Sequence, residues 1–173
     1  MRITGGTLRG RGITAGKGRT TRPTSSRVRE ALFSILGQNL EGKTVLDPFG
    51  GSGLLSFEAL SRGADSAMLI DSDHRAVASI KRSAVELGVE NNVNVMRGVV
   101  PKALPSGVQF SLVLLDPPYS VNVLPILEAL VPIVSDQVVL EYGEKGPTVA
   151  GLNLEKSRTY GGTVITFYMR DFT

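Results

Sequence analysis

Residues 43–53 read KTVLDPFGGSG, an apolar run that ends in an acid, a proline and a glycine-rich loop. KTVLD has the make-up of a buried strand, and residues 52–62 that of a helix. Glycines between a strand and a helix let the backbone turn sharply and approach a ligand, while the helix start offers free N–H groups. Downstream the alternation continues with strand SAMLID (66–71), helix 73–87, strand NVNVMR (92–97), a short helical piece 99–104, strand FSLVLLD (110–116), a helix over about 122–131 and strand QVVLEY (137–142). This order predicts an α/β fold, a mostly parallel sheet with helices on both faces. LEKSRTY (154–160) and TVITFYMR (163–170), joined by Gly161-Gly162, predict a C-terminal antiparallel hairpin.

Upstream, RITGGTLRGRGIT (2–14) predicts a small N-terminal β-hairpin, and AGKGRTTRP (15–23) a loop. Thr24 or Ser25 caps a helix over 26–37, whose apolar face is Val28, Ala31, Leu32, Ile35 and Leu36. The whole chain, 1–173, reads as one domain with 1–21 as a basic extension. Eight Arg and Lys and no acid fall within residues 1–29, a charge of +8. The rest carries −5. A basic arm on an acidic body points to a phosphate-bearing partner. Zero cysteines exclude disulfides and thiolate metal sites. No signal-peptide core and no long apolar run are present, which predicts a soluble, cytoplasmic protein with no membrane partner.

In open α/β sheets ligands bind beyond the carboxyl ends of the strands. Three such ends here read DPFGGSG (47–53), IDSD (70–73) and LLDPPY (114–119). Asp71 follows Gly51 by 20 residues, the spacing at which nucleotide folds place an acid on ribose hydroxyls. The third glycine of a dinucleotide fingerprint is replaced by Ser56, and Asp47 opens the loop with a charge that repels pyrophosphate. S-adenosylmethionine has an ammonium, a sulfonium and a ribose to match Asp47 and Asp71, so the charges favour it over NAD.

DPPY (116–119) fits an exocyclic amine. Asp116 and the Pro117 carbonyl form an acceptor pair for the two amine hydrogens, and Tyr119 offers a ring for stacking. The prolines stiffen the carbonyl's direction. Catalysis by such a site is mainly orientation and hydrogen bonding. Other residues read more plainly. His74 lies in the first turn of a helix, and no metal site is expected. Asp73 is the N-cap of that helix. Glu141 reads as a solvated strand end, with a supporting role at the site as the alternative. Phe167 and Tyr168 pack the last strand.

With RITGGTLRGR, RPTSSRVREALF (22–33), LDPFGGSG, FEALSRGA (57–64) and DPPY in this order and spacing, the chain resembles the RsmD group of 16S ribosomal RNA guanine-N2 methyltransferases over nearly its whole length. RPT…RVREALF is the specific part; glycine loops and DPPY are shared with many amino-methyltransferases. The resemblance implies a Rossmann-like, S-adenosylmethionine-dependent core with an N-terminal hairpin that engages RNA, acting as a monomer on 16S RNA or the small ribosomal subunit. Carried over by position, Asp47, Phe49, Gly50, Gly51, Ser52, Gly53, Asp71, Ser72 and Val99 surround the cofactor. Asp116, Pro117, Pro118 and Tyr119 hold the target amine. Arg2, Arg9, Arg11, Arg22 and Thr24 meet RNA, with Arg22, Pro23 and Thr24 at the entrance. Three positions depart from the family pattern: Ser26 for a common Asp, Asp71 for the commoner Glu, and Val99 where an acid or amide meets adenine. The alternatives are an amino-methyltransferase for DNA adenine or protein glutamine, and a non-catalytic RNA-binding assembly factor. The acid of DPPY argues against glutamine enzymes, which carry Asn-Pro-Pro-Tyr.

Overall fold

The computed structural model describes residues 1–14 and 24–173. Seven strands form one sheet: β1 (Thr44–Asp47), β2 (Ser66–Asp71), β3 (Val93–Arg97), β4 (Phe110–Leu115), β5 (Val134–Tyr142), β6 (Leu152–Tyr160) and β7 (Thr163–Arg170). Their spatial order is β3-β2-β1-β4-β5-β7-β6. Neighbours from β3 to β5 pair in parallel, and β7 lies antiparallel between β5 and β6. Tyr160 faces Thr163 across a two-residue turn in which Gly161 has φ +60°, a conformation glycine takes without steric cost. The predicted strands, parallel core and closing hairpin are all present.

The helices are α1 (Ser26–Leu36), α2 (Leu54–Ser61), α3 (His74–Leu87) and α4 (Leu124–Leu130). Ser25 caps α1 through Val28 N–H, and Asp73 caps α3 through Arg75 N–H. Side chains alternate across the sheet. Val45, Leu69, Leu112 and Leu114 pack under α1, α2 and α3. Leu46, Ile70, Val113 and Leu115 pack under α4 and the C-terminal segments. By that period Asp47, Asp116 and Glu141, which follow Leu46, Leu115 and Leu140, belong to the face covered by α1–α3.

The expected helix over 99–104 is absent. Turns closed by Ala103 N–H to Val99 O and Leu104 N–H to Pro101 O take its place. A proline disfavours helical geometry at the residue before it, so Pro101 and Pro105 leave too few residues for a helix. The N-terminal hairpin is reduced to one bridge, Arg2 to Gly12, with Ile3 N–H bonded to Arg11 O and Ile13 N–H to Met1 O. Glycines at 5, 6, 10 and 12 interrupt any longer ladder.

That segment, read from its charge as a basic extension, is also part of the core. Ile3 and Ile13 are buried with Leu32, Phe33 and Phe57. Glu58 of α2 is fully buried and accepts from Thr4 N–H (3.0 Å), the Thr4 hydroxyl (2.6 Å), Gly5 N–H (2.9 Å), Arg29 Nε (3.1 Å) and Arg62 Nη2 (3.0 Å). Arg29 is buried and also donates to Arg2 O at 2.8 Å. Arg29 therefore leaves the set of charges open to a polyanion.

Candidate functional site

The site is built where the parallel strands run out on either side of the β1–β4 junction, the point at which strand order reverses. β1 delivers Asp47, which is 2% exposed. Its Oδ2 accepts from Ser56 Oγ at 2.8 Å, and its Oδ1 has no partner. Burial pushes the Asp47 carboxyl up to about 7, with the Ser56 bond opposing and the Asp71 charge adding to the rise. A buried carboxylate oxygen without a donor is costly, so a cation or donor brought by a ligand would stabilise it.

The glycine loop is held by its own backbone and by Asp71. Gly50 N–H bonds Ile70 O at 2.8 Å, and Gly53 N–H bonds Gly50 O at 2.7 Å. Asp71 accepts from Gly51 N–H at 2.8 Å through Oδ2 and from Asp73 N–H at 2.9 Å through Oδ1. Two backbone donors thus fix the carboxylate between the loop and the end of β2. Gly51 and Gly53 have φ of +57° and +80° for different purposes. A Cβ on Gly53 would sit 2.7 Å from the Phe57 ring, whereas one on Gly51 would meet only Phe49 O at 3.8 Å. Gly53 is required by packing. Gly51 has space above it for a ligand. Phe49 and Ser52 border that loop, Ser72 is exposed beside Asp71, and Val99, 67% exposed, lies two residues beyond Arg97, the register partner of Asp71.

β4 delivers Asp116, partly accessible, at the start of the DPPY loop. Pro118 O is taken by a turn to Val121 N–H at 2.9 Å, which leaves the Pro117 carbonyl outside that turn. Tyr119 is 46% exposed yet fixed in direction. Its hydroxyl lies 2.8 Å from Thr163 Oγ1, its ring meets Tyr142 edge-on at 5.5 Å between centroids, and Gly143 lies against its face. Tyr142 in turn donates to Tyr119 O (2.8 Å) and Val121 O (2.7 Å).

Glu141 is 6% exposed, not solvated. Leu115 and Leu140 are register partners, so the acids that follow them emerge side by side. Thr24 Oγ1 lies 2.9 Å from Glu141 Oε2 and 3.4 Å from Asp116 Oδ2, with one hydrogen for both. Burial raises the Asp116 carboxyl well above its ordinary range, and the Glu141 and Asp47 charges add to that. Burial also raises Glu141, against the Thr24 hydrogen bond and the Arg29 charge. The signal that could have found Glu141 was present: like Asp47 and Asp116 it is an acid directly after a buried apolar run.

Of the predicted residues, Asp47, the glycine loop and Asp71 form one cluster, and Asp116, Pro117, Pro118, Tyr119 and Thr24 the adjoining one. Arg2, Arg9 and Arg11 are exposed along the N-terminal segment, with Arg11 Nη2 on Glu86 O of α3 at 2.7 Å and Arg2 Nη1 on Gly10 O at 2.8 Å. Arg22 and Pro23 lie outside the described residues. Among the described residues no group of three or more His, Cys, Asp and Glu could hold a metal ion, and no helix is long and apolar enough to cross a membrane.

Comparison with known proteins adds lineage to this geometry. The family described as "Conserved hypothetical protein 95" matches residues 1–169. Ribosomal RNA small subunit methyltransferase D of Escherichia coli (strain K12) is 31% identical over 186 residues, covering 99% of this chain and 90% of its own. The solved structure of yhhF from Escherichia coli is 30% identical with a TM-score of 0.88, covering 100% of this chain and 99% of that one. An RNA methyltransferase from Salinibacter ruber, solved in complex with S-adenosyl-L-homocysteine, shares the fold at a TM-score of 0.71 and 19% identity, covering 87% of this chain and 95% of its own.

Proposed function

The chain belongs to the conserved hypothetical protein 95 family, the family of RsmD, and from that premise we propose that it transfers a methyl group from S-adenosylmethionine to the exocyclic N2 amine of a guanine in 16S ribosomal RNA. The observation that carries this reading is that Asp116 lies within reach of the Asp47 charge that opens the glycine loop, and is followed by a Pro117 carbonyl left out of the Pro118–Val121 turn and by an exposed Tyr119 ring. It is an amine site next to a cofactor site.

The residues suit the cofactor. Asp47 Oδ1, buried without a donor, fits a cationic end, and Asp71, aimed by two amides, keeps lone pairs for ribose hydroxyls. Gly51 leaves room for close approach. S-adenosylmethionine supplies an electrophilic methyl on a cationic sulfur. The chain's own part is orientation. A guanine N2 lone pair is delocalised into the ring, so Asp116 and the Pro117 carbonyl accept its two hydrogens and turn the lone pair outward. Tyr119, held by Thr163, Tyr142 and Gly143, stacks on the base. With the cofactor bound, its methyl would pass to the nitrogen with the C–S bonding pair left on the departing thioether, and Asp116 would stand to take the amine proton. Preorganised acceptors of this kind are worth several kcal/mol of barrier.

The exposed Arg2, Arg9 and Arg11, with Arg22, give RNA phosphates a landing surface on this reading, and Thr24 stands at the entrance to the amine site. The test is incubation with labelled S-adenosylmethionine and, in parallel, 30S particles, naked 16S RNA, DNA and release factor. Label should appear in 16S RNA and digest to N2-methylguanosine. Label in DNA or release factor instead would overturn the substrate. Asp71→Ala should weaken S-adenosylmethionine binding by about 1–3 kcal/mol in calorimetry, the scale of hydrogen bonds to a charged group. Unchanged affinity would remove Asp71 from the cofactor site.

A further inference from the structure

The acid pair Asp116–Glu141 has more acceptor capacity than an amine needs. An amine offers two hydrogens, and Asp116 with the Pro117 carbonyl accounts for both. Glu141 remains, buried beside them. Its Oε2 is fastened by the Thr24 hydroxyl, and Oε1 accepts no hydrogen bond among the described residues. Legs of 2.9 and 3.4 Å to one hydroxyl keep the bonded oxygens of the two acids within about 6 Å of each other. The neighbouring Asp47 Oδ1, buried and partnerless, is another acceptor at this end of the sheet for which the protein's own donors do not suffice. A ligand that satisfies the pair must therefore present a run of N–H groups along one edge.

Resting on the guanine reading above, we infer that Glu141 is a specificity-determining residue that reads the base, accepting the guanine N1–H while Asp116 holds the adjacent N2 amine. Guanine is the base whose Watson–Crick edge offers N1–H next to an exocyclic amine. Adenine places a lone pair at N1 beside its amine, and that lone pair would face a carboxylate. A site built to accept a hydrogen bond rejects an analogue that lacks the donor far more strongly than an apolar pocket rejects a change of size. Thr24 is the positioning residue of this pair. Its single hydroxyl sets the distance between the two acids and occupies the Glu141 oxygen that the base does not use. The nearby Arg29, which donates to Thr24 O at 3.4 Å, supports the ionised form that can accept.

The test uses 2-aminopurine, which keeps the exocyclic amine and has an acceptor at N1. The methylated position is first mapped with wild type on 30S particles. Particles are then reconstituted from ligated 16S RNA with guanine or 2-aminopurine at that position. Wild type should favour guanine by about 100-fold or more in kcat/KM, the range for a lost buried donor. Glu141→Gln, whose amide can donate to N1, should narrow that ratio to within about fivefold, mainly by gaining activity on 2-aminopurine. Thr24→Val should narrow it partly, and Thr24→Ser should restore it. Thermal melts and S-adenosylhomocysteine affinity, unchanged in each variant, exclude misfolding. Equal use of both bases by wild type, or a ratio unmoved in folded Glu141→Gln and Thr24→Val, would overturn the inference and leave the methyltransferase reading intact. Failure of wild type to methylate any guanine particle would overturn both.

Discussion

Glu58 and the trio Asp47, Asp116 and Glu141 all lie on the sheet face covered by α1, α2 and α3, yet their surroundings are opposite. Glu58 is ringed by two guanidiniums, two backbone amides and a hydroxyl. The trio shares the Ser56 and Thr24 hydroxyls, and Glu141 alone feels Arg29 from a distance. One cluster is complete without a ligand; the other is not. A buried charge fully met by partners holds parts together, whereas buried charges left short of donors raise their own pKa and wait for a ligand to supply them. Arg29 belongs to both, since it contacts Glu58 and the Thr24 carbonyl. The complete cluster thereby fixes the residue that ties Asp116 to Glu141.

The two largest expected effects would break the complete cluster, removal of residues 1–14 more than Glu58→Ala. Glu58→Ala leaves Arg29 and Arg62 buried without a counter-charge and frees residues 4 and 5, so stability should fall by about 3–5 kcal/mol in denaturant unfolding. Deleting residues 1–14 should cost more and abolish cooperative unfolding, because Ile3 and Ile13 leave the core as well. A deletion variant that melts like wild type would show that residues 1–14 are a separable arm. Asp116→Ala, in the incomplete cluster, should do the reverse: stability unchanged or raised, cofactor affinity within a few-fold, and single-turnover methyl transfer down by about 100-fold. If it loses stability as Glu58→Ala does, the contrast between the clusters fails.

A pH series sharpens the same contrast. A cationic ligand needs ionised Asp47, whose carboxyl is pushed up to about 7. Cofactor affinity should rise with pH up to about 7 and then level, with a slope near tenfold per pH unit below it. Asp47→Asn should flatten this rise. The stability of the ligand-free protein should move oppositely. A carboxyl whose folded pKa lies above its unfolded one binds more protons when folded, so its contribution is full below about 4 and is lost as pH rises to about 7. The smallest effect belongs to the surface. Arg9→Glu should leave the melt unchanged and lower the salt slope of RNA binding by about one phosphate contact.

The strand–helix alternation was legible because each strand is a short apolar run and each turn carries its own chemistry, such as Gly161-Gly162 or the Asp73 cap. The strand-end acids Asp47, Asp71 and Asp116 were legible for the same reason, as breaks in apolar runs. Glu58 was not. Every residue of α2 is buried, so its sequence has no polar face against which a buried acid stands out, and its partner Arg29 is distant in the chain. Arg29 itself was counted with the basic arm because charge in a sequence carries no depth. Glu141 showed the same break after an apolar run, yet a solvated strand end was the first reading and a supporting role at the site the alternative. The reason is that its burial beside Asp116 depends on β4 and β5 being neighbours in register, a fact of the sheet rather than of QVVLEY. The 99–104 piece has a helical composition, but Pro101 within it and Pro105 just after it break helical geometry.

β7 lies between β5 and β6, and Thr163 at its start holds the Tyr119 hydroxyl. During synthesis β5 therefore emerges with one edge open, and no later strand can close it until residues 163–170 have left the ribosome. Tyr119 lacks its hydroxyl anchor over the same interval. Anchoring of the Tyr119 ring is thus timed to the end of sheet formation, and a nascent chain stalled before β7 would expose a sticky strand edge and an unanchored Tyr119.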